Sequence, residues 1–161
     1  IMITDAAINI APDVETQIGI VENALPVARA LGVECPKVAV LSAVENVTDK
    51  MPSTVTAREI AERGVEGCVI SGPLALDGAI SMESVKHKAI KDPVAGQADI
   101  LLVPFIEIGN VLYKACSYIA GKTMASTICG ASCPVIITSR ADTPDSKYYS
   151  ILMAVLRCLK A

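Results

Sequence analysis

Four residues near the end of the chain have the types and spacing that handle a phosphate: Ser139, Arg140, Asp142 and Asp145. They follow the apolar run Pro134 to Thr138 and precede a periodic segment, so they fall between a strand end and a helix start. A hydroxyl, a guanidinium and unpaired backbone N–H groups together suit a phosphate or an acyl-phosphate oxyanion. A carboxylate beside such a site can take a proton from a thiol. The same residues can equally serve the fold, with Ser139 and Asp145 capping the helix and Arg140 a solvated charge. Local chemistry alone names no activity.

Other strand ends also collect polar residues: Asp5 to Asn9, Ser71 to Asp77, and Pro104 to Asn110 running into Tyr113 and Lys114. In an open parallel sheet, ligands bind beyond the carboxyl ends of the strands. Asn9, Asp77, Asn110 and Lys114 are therefore candidates to shape a cleft, or are structural hydrogen-bonders at loop starts.

Much other chemistry is missing from the sequence. There is no GxGxxG, no GxxxxGK[ST] and no GxSxG. His87 is the single histidine and sits between Lys86 and Lys88, so it reads as a solvated surface residue. The six cysteines form no CxxC pair and have no zinc spacing; they read as small buried apolar residues in a reducing compartment, and no metal site is expected. A net charge of -3 disfavours nucleic acid as a partner, and the apolar runs are strand-length, which disfavours a membrane span. The sequence thus predicts a soluble, cytoplasmic protein.

The elements that must position these residues alternate. Strands are predicted at Ile1 to Thr4, Lys37 to Ser42, Gly67 to Ser71, Asp99 to Val103 and Pro134 to Thr138. Helices are predicted at Val14 to Leu31, capped by Asp13, ended by Gly32 and kinked at Pro26; at Thr54 to Arg63; at Met82 to Ile90; at Glu107 to Ala120; and at Asp145 to Leu159. The composition is 52% hydrophobic, with five Phe or Tyr and no Trp, so the core is aliphatic. Near-continuous apolar strands alternating with helices predict an α/β fold, a mainly parallel sheet flanked by helices.

Taken together, five segments carry a resemblance. They are Thr4 to Asp13 (TDAAINIAPD), Gly72 to Asp77 (GPLALD), Ala98 to Pro104 (ADILLVP), Ile108 to Lys114 (IGNVLYK) and Cys133 to Asp142 (CPVIITSRAD). In order and spacing this series resembles the phosphate acetyl/butyryltransferase family along essentially the whole chain. The Ile-Ala-Pro-Asp continuation and the Thr-Ser-Arg-Ala-Asp form resemble the butyryl branch.

The resemblance implies a two-domain α/β/α enzyme of isocitrate/isopropylmalate dehydrogenase-like architecture, with a cleft between the domains. Residues 1–132 would be the second, internal domain. Residues 133–161 would be the returning strand and helix of the first, whose remainder lies upstream and is missing, so that this stretch alone is inactive. The implied reaction moves a butyryl or similar acyl group between coenzyme A and inorganic phosphate, by thiolate attack on an acyl phosphate. The alternatives are a phosphate acetyltransferase or a non-catalytic binding module that keeps the fold. Ser139 and Arg140 would bind the acyl phosphate. Asp145, with Asp142 second, would be the base. Coenzyme A enters as substrate, no cofactor is held tightly, and a homodimer is expected.

Overall fold

The computed structural model describes residues 1–159. The first long helix begins as its sequence dictates: the Asp13 side chain accepts the Thr16 N–H at 2.9 Å, an N-cap that satisfies an otherwise unpaired helix donor. This helix, α1 (Val14–Ala30), runs through Pro26 without ending there. It ends in a paired turn, with Gly32 N–H on Arg29 and Val33 N–H on Ala28. Gly32 has φ +94°, a left-handed position suited to glycine.

Among the described residues four strands make one sheet: β1 (Met2–Thr4), β2 (Lys37–Leu41), β3 (Val69–Leu74) and β4 (Ile100–Leu102). Their order is β1-β4-β2-β3 and every pairing is parallel. Between them lie α2 (Pro52–Arg63), α3 (Leu76–Ile80) and α4 (Met82–Lys88); α5 (Ile106–Lys114) and α6 (Pro144–Leu159) follow β4.

Strand residues alternate between two cores, as the pleat requires. Val38, Val40, Ile100 and Leu102 pack with Val21, Leu25 and Ala28 of α1 and with Ala57 and Ile60 of α2. Ala39, Leu41, Leu101 and Val103 pack on the other face with Ala79, Val94 and Ala98, flanked by Val85 and Leu112. Ile100, Leu101, Leu102 and Val103 are all buried. The strand predicted at Asp99 to Val103 is present and is covered on both faces.

Several predicted boundaries shift. The third strand starts two residues later than predicted and continues to Leu74, through Pro73. Its position at the sheet edge tolerates a residue without an N–H. The stretch expected to be loop after Ser71 also contains the start of the five-residue helix α3. The long helix predicted from Glu107 to Ala120 leaves α-geometry after Lys114 and finishes in a wide π-type turn, Ala115–Ile119.

The largest correction is at Pro134 to Thr138, which is not a strand. Its pairing among the described residues is one antiparallel bridge, Val135 with Ile128. Ile137 is 61% exposed. The β-forming pattern is there, but a strand also needs a neighbour to complete its ladder.

The cysteines also depart from expectation. Cys35, Cys133 and Cys158 are exposed, and Cys68, Cys116 and Cys129 are half-buried. Burial pushes the Cys68 and Cys129 thiols up, away from the reactive thiolate. His87 is exposed, as predicted.

Candidate functional site

The carboxyl ends of β1 and β4 are neighbours, with Thr4 paired to Leu102 and Val103 N–H donating to Thr4 at 2.8 Å. The loops that leave them therefore meet. After β1 the chain wraps around the Asp5 carboxylate. Its Oδ1 accepts the N–H groups of Ala7 and Ile8 at 2.8 and 3.0 Å. Its Oδ2 accepts the Asn9 N–H at 2.8 Å and the Asn9 side-chain amide at 2.7 Å. Burial alone would raise the Asp5 carboxyl, but these donors outweigh it and hold it below the ordinary carboxylate value.

Helix α5 lies directly on this loop. A Cβ at Gly109 would stand 2.6 Å from the Asp5 carbonyl oxygen and 2.8 Å from Ala6 Cα, so only glycine lets the helix come this close. One residue on, Asn110 Nδ2 donates to the Ala6 carbonyl at 3.4 Å. Three residues further, on the same helical face, the Tyr113 hydroxyl donates to Asp142 Oδ1 at 2.8 Å. Burial first, then the Asp142 carboxylate, push the Tyr113 phenol up to about 12, so it is a donor throughout the neutral range.

Asp142 closes the turn that carries Ser139 and Arg140. Its Oδ2 accepts the Ser139 N–H at 2.7 Å, and its own N–H donates to the Ser139 carbonyl at 3.1 Å. Ser139 Oγ accepts the Ala141 N–H at 3.4 Å. Arg140 is exposed and, among the described residues, makes no hydrogen bond or ion pair. The next helix is capped by neither Ser139 nor Asp145. Thr143 caps it, its Oγ1 accepting the Ser146 N–H at 3.2 Å with Pro144 as the first helical residue. Asp145 is left exposed in the first turn of α6.

The structure thus joins three of the polar loops through α5: the Asp5–Asn9 loop, the helix face of Asn110 and Tyr113, and the Ser139–Asp142 turn. Lys114 is exposed and, among the described residues, bonded to nothing. Asp77 is tied instead to Lys88 at 2.9 Å, beside Glu45. Sequence reasoning selected neither Asp5 nor Tyr113 as site residues. The signals were present as an Asp four residues before an Asn at a strand end, and a Tyr one helical turn beyond Asn110.

A largely apolar groove of about 780 Å³ runs between β1, α1, residues 123–129 and α6, with Asp5, Asn9 and Tyr113 in its wall. Among the described residues no group of three or more His, Cys, Asp or Glu could hold a metal ion. No helix among them is long and apolar enough to cross a membrane.

A parallel sheet flanked by helices, with polar loops meeting at the carboxyl ends of β1 and β4, defines the α/β class in which ligands bind beyond the strand ends. Within that class, the chain belongs to the family described as phosphate acetyl/butaryl transferase, which matches residues 1–155. It is 49% identical, over 95% of its length and 52% of the relative's, to a probable phosphate butyryltransferase of Bacillus subtilis. It is 44% identical, over 97% of its length and 54% of the relative's, to a phosphate acetyltransferase of Thermotoga maritima. A branched-chain phosphotransacylase from Enterococcus faecalis superposes with a TM-score of 0.92 at 44% identity, covering 99% of this chain and 58% of that one. The chain spans about half the length of the curated relatives it matches.

Proposed function

We propose that this chain is part of a phosphate acyltransferase that moves a butyryl or similar short acyl group between coenzyme A and inorganic phosphate. The observation that carries the reading is the Ser139–Asp142 turn. It holds a solvent-facing guanidinium, unpaired among the described residues, beside a serine hydroxyl in the turn that leads into α6. Arginine in that setting meets a phosphate with a planar fork of donors. Relatives named butyryl- and acetyltransferases, together with the branched-chain enzyme, support the acyl and phosphate chemistry.

In the proposed mechanism Arg140 and Ser139 bind the acyl phosphate. Asp145 takes the proton of the coenzyme A thiol, and the thiolate attacks the acyl carbon. The C–S bond forms as the bond to phosphate breaks, and Arg140 stabilises the oxyanion and the departing phosphate. Asp145 suits the role of base because its side chain is exposed and uncommitted, whereas both Asp142 oxygens already accept hydrogen bonds. Asn9, Asn110 and Lys114 would shape the cleft, the first two by holding loops rather than ligand. No tightly held cofactor takes part.

The reading extends to a two-domain cytoplasmic protein of dehydrogenase-like architecture. Residues 1–132 would be one domain, and 133–161 would complete another whose remainder lies upstream. Two features support that division: among the described residues the Pro134 to Thr138 run pairs through a single bridge, and α6 exposes Ile151, Leu152 and Val155. Exposed Val111, Tyr118 and Ile119 support a homodimer.

The test is phosphate-dependent release of thiol from butyryl-CoA and acetyl-CoA, by this chain and by the product of the complete reading frame. The complete product is expected to turn over faster with butyryl-CoA, and Arg140→Ala to lower kcat on the order of 100- to 1,000-fold. Faster turnover with acetyl-CoA makes it an acetyltransferase. No release with either substrate refutes the transferase reading and leaves a binding module.

A further inference from the structure

Helix α5 touches both polar loops with one face, and the two contacts differ in kind. Gly109 and Asn110 bear on backbone of the Asp5–Asn9 loop. Tyr113 instead bears on a side chain, Asp142, whose carboxylate has a second obligation to the Ser139 N–H. The order of dependence is fixed by these bonds: helix to phenol, phenol to carboxylate, carboxylate to the backbone that presents Ser139 and Arg140.

We propose that Tyr113 is a positioning residue of the transfer site, acting through Asp142 to hold the Ser139–Arg140 turn in the shape that receives the anion. The inference rests on the acyltransferase reading above. A carboxylate gripped at one oxygen alone can swing about its Cβ–Cγ bond, and the 2.7 Å bond to Ser139 N–H swings with it. The phenol grips the other oxygen and removes that freedom. Because α5 is itself seated on the Asp5–Asn9 loop, the turn is referenced to the sheet rather than to solvent. Asp142 is then a clamp and not the base, since accepting a substrate proton would undo the bond that shapes the site.

The experiment has two arms on the product of the complete reading frame, wild type and Tyr113→Phe. Phenylalanine keeps the ring and removes only the hydroxyl. In the first arm, amide hydrogen exchange over residues 138–142 is expected to be roughly three- to tenfold faster in the variant, the consequence of one lost hydrogen bond. In the second, kcat for phosphate-dependent release of coenzyme A from butyryl-CoA is expected to fall roughly 10- to 100-fold, while KM for butyryl-CoA changes less than about threefold.

The double variant Tyr113→Phe/Asp142→Ala should be no slower than Asp142→Ala alone, because both changes cut the same link. Unchanged exchange overturns the clamp. Faster exchange with unchanged kcat overturns the positioning role, and an additive loss in the double variant overturns the route through Asp142. A wild-type protein that releases no coenzyme A refutes the functional reading instead, and the exchange arm still decides the clamp.

Discussion

Replacing Asp5 by Asn removes one charge and one acceptor from the most densely bonded carboxylate described here. Asp5 accepts four hydrogen bonds between 2.7 and 3.0 Å. In Asp5→Asn the remaining oxygen can keep the Ala7 and Ile8 N–H groups. The new NH₂ then faces two donors, the Asn9 N–H and the Asn9 side-chain amide, and turning the Asn9 amide repairs only the second clash. One bond is lost outright and the other three lose their ionic partner. With about 1.5–3 kcal/mol for a hydrogen bond to a charged group, and water reaching the half-buried site, the net cost is about 2 kcal/mol.

For a domain of this size that is a fall in melting temperature of about 4–8 °C at pH 7. The pH dependence is equally specific. Burial opposes ionisation of Asp5, but the donors outweigh it and hold the folded carboxyl below its ordinary value of 3.8. The stabilisation is therefore complete above the unfolded value and is lost as pH falls through the lowered folded value. Thermal unfolding of both proteins, from pH 7 into the acid limb where both remain folded, measures this. Equal melting temperatures at pH 7 would refute the bonding argument, and a gap that does not narrow with acid would refute the linkage.

Two further predictions probe how the site is held. Gly109→Ala gains helix propensity of about 1 kcal/mol, yet its Cβ meets immovable backbone at 2.6 Å, and overpacking of that kind costs about 1–3 kcal/mol; a lower urea midpoint with an unchanged slope is expected, and a higher midpoint would show that α5 does not rest on the loop. Thr143→Ala deletes the cap on Ser146 N–H at a cost of about 1 kcal/mol; calorimetry showing no loss would mean that α6 is capped by something else.

The periodicities that reveal this fold are local ones. Asp13 and Gly32 mark the two ends of α1 because capping and left-handed turns are properties of a few neighbouring residues. The apolar run at β4 announces a strand covered on both faces for the same reason. Failures occur where the deciding partner is distant or the element too short. Five residues of α3 hold barely more than one turn of pattern. Pro73 reads as a breaker unless β3 is known to be an edge. Val135 to Thr138 has the composition of a strand, but nothing within it says whether a neighbour is present.

The site divides along the same line. Ser139 and Arg140 stand out by residue type beside a strand end. That Asp142 is engaged on both oxygens depends on Tyr113, 29 residues earlier, and no spacing rule connects the two. The same applies to Asn9 and Asn110, whose amides are spent on Asp5 and Ala6.

The run from Val135 to Thr138, whose strand pairing among the described residues is the single Val135–Ile128 bridge, has a consequence for handling the protein. A β-branched stretch with only part of its backbone paired is adhesive, and a second molecule can add to it. During synthesis or refolding, partnering and clumping therefore compete for the same surface, and concentration decides the winner. Arg140 and Asp142 sit immediately beyond that run, where charged gatekeepers discourage stacking. The guanidinium proposed to meet the anion also keeps neighbouring molecules apart, so Arg140→Ala should cost solubility as well as turnover, and Arg140→Lys should spare the first more than the second.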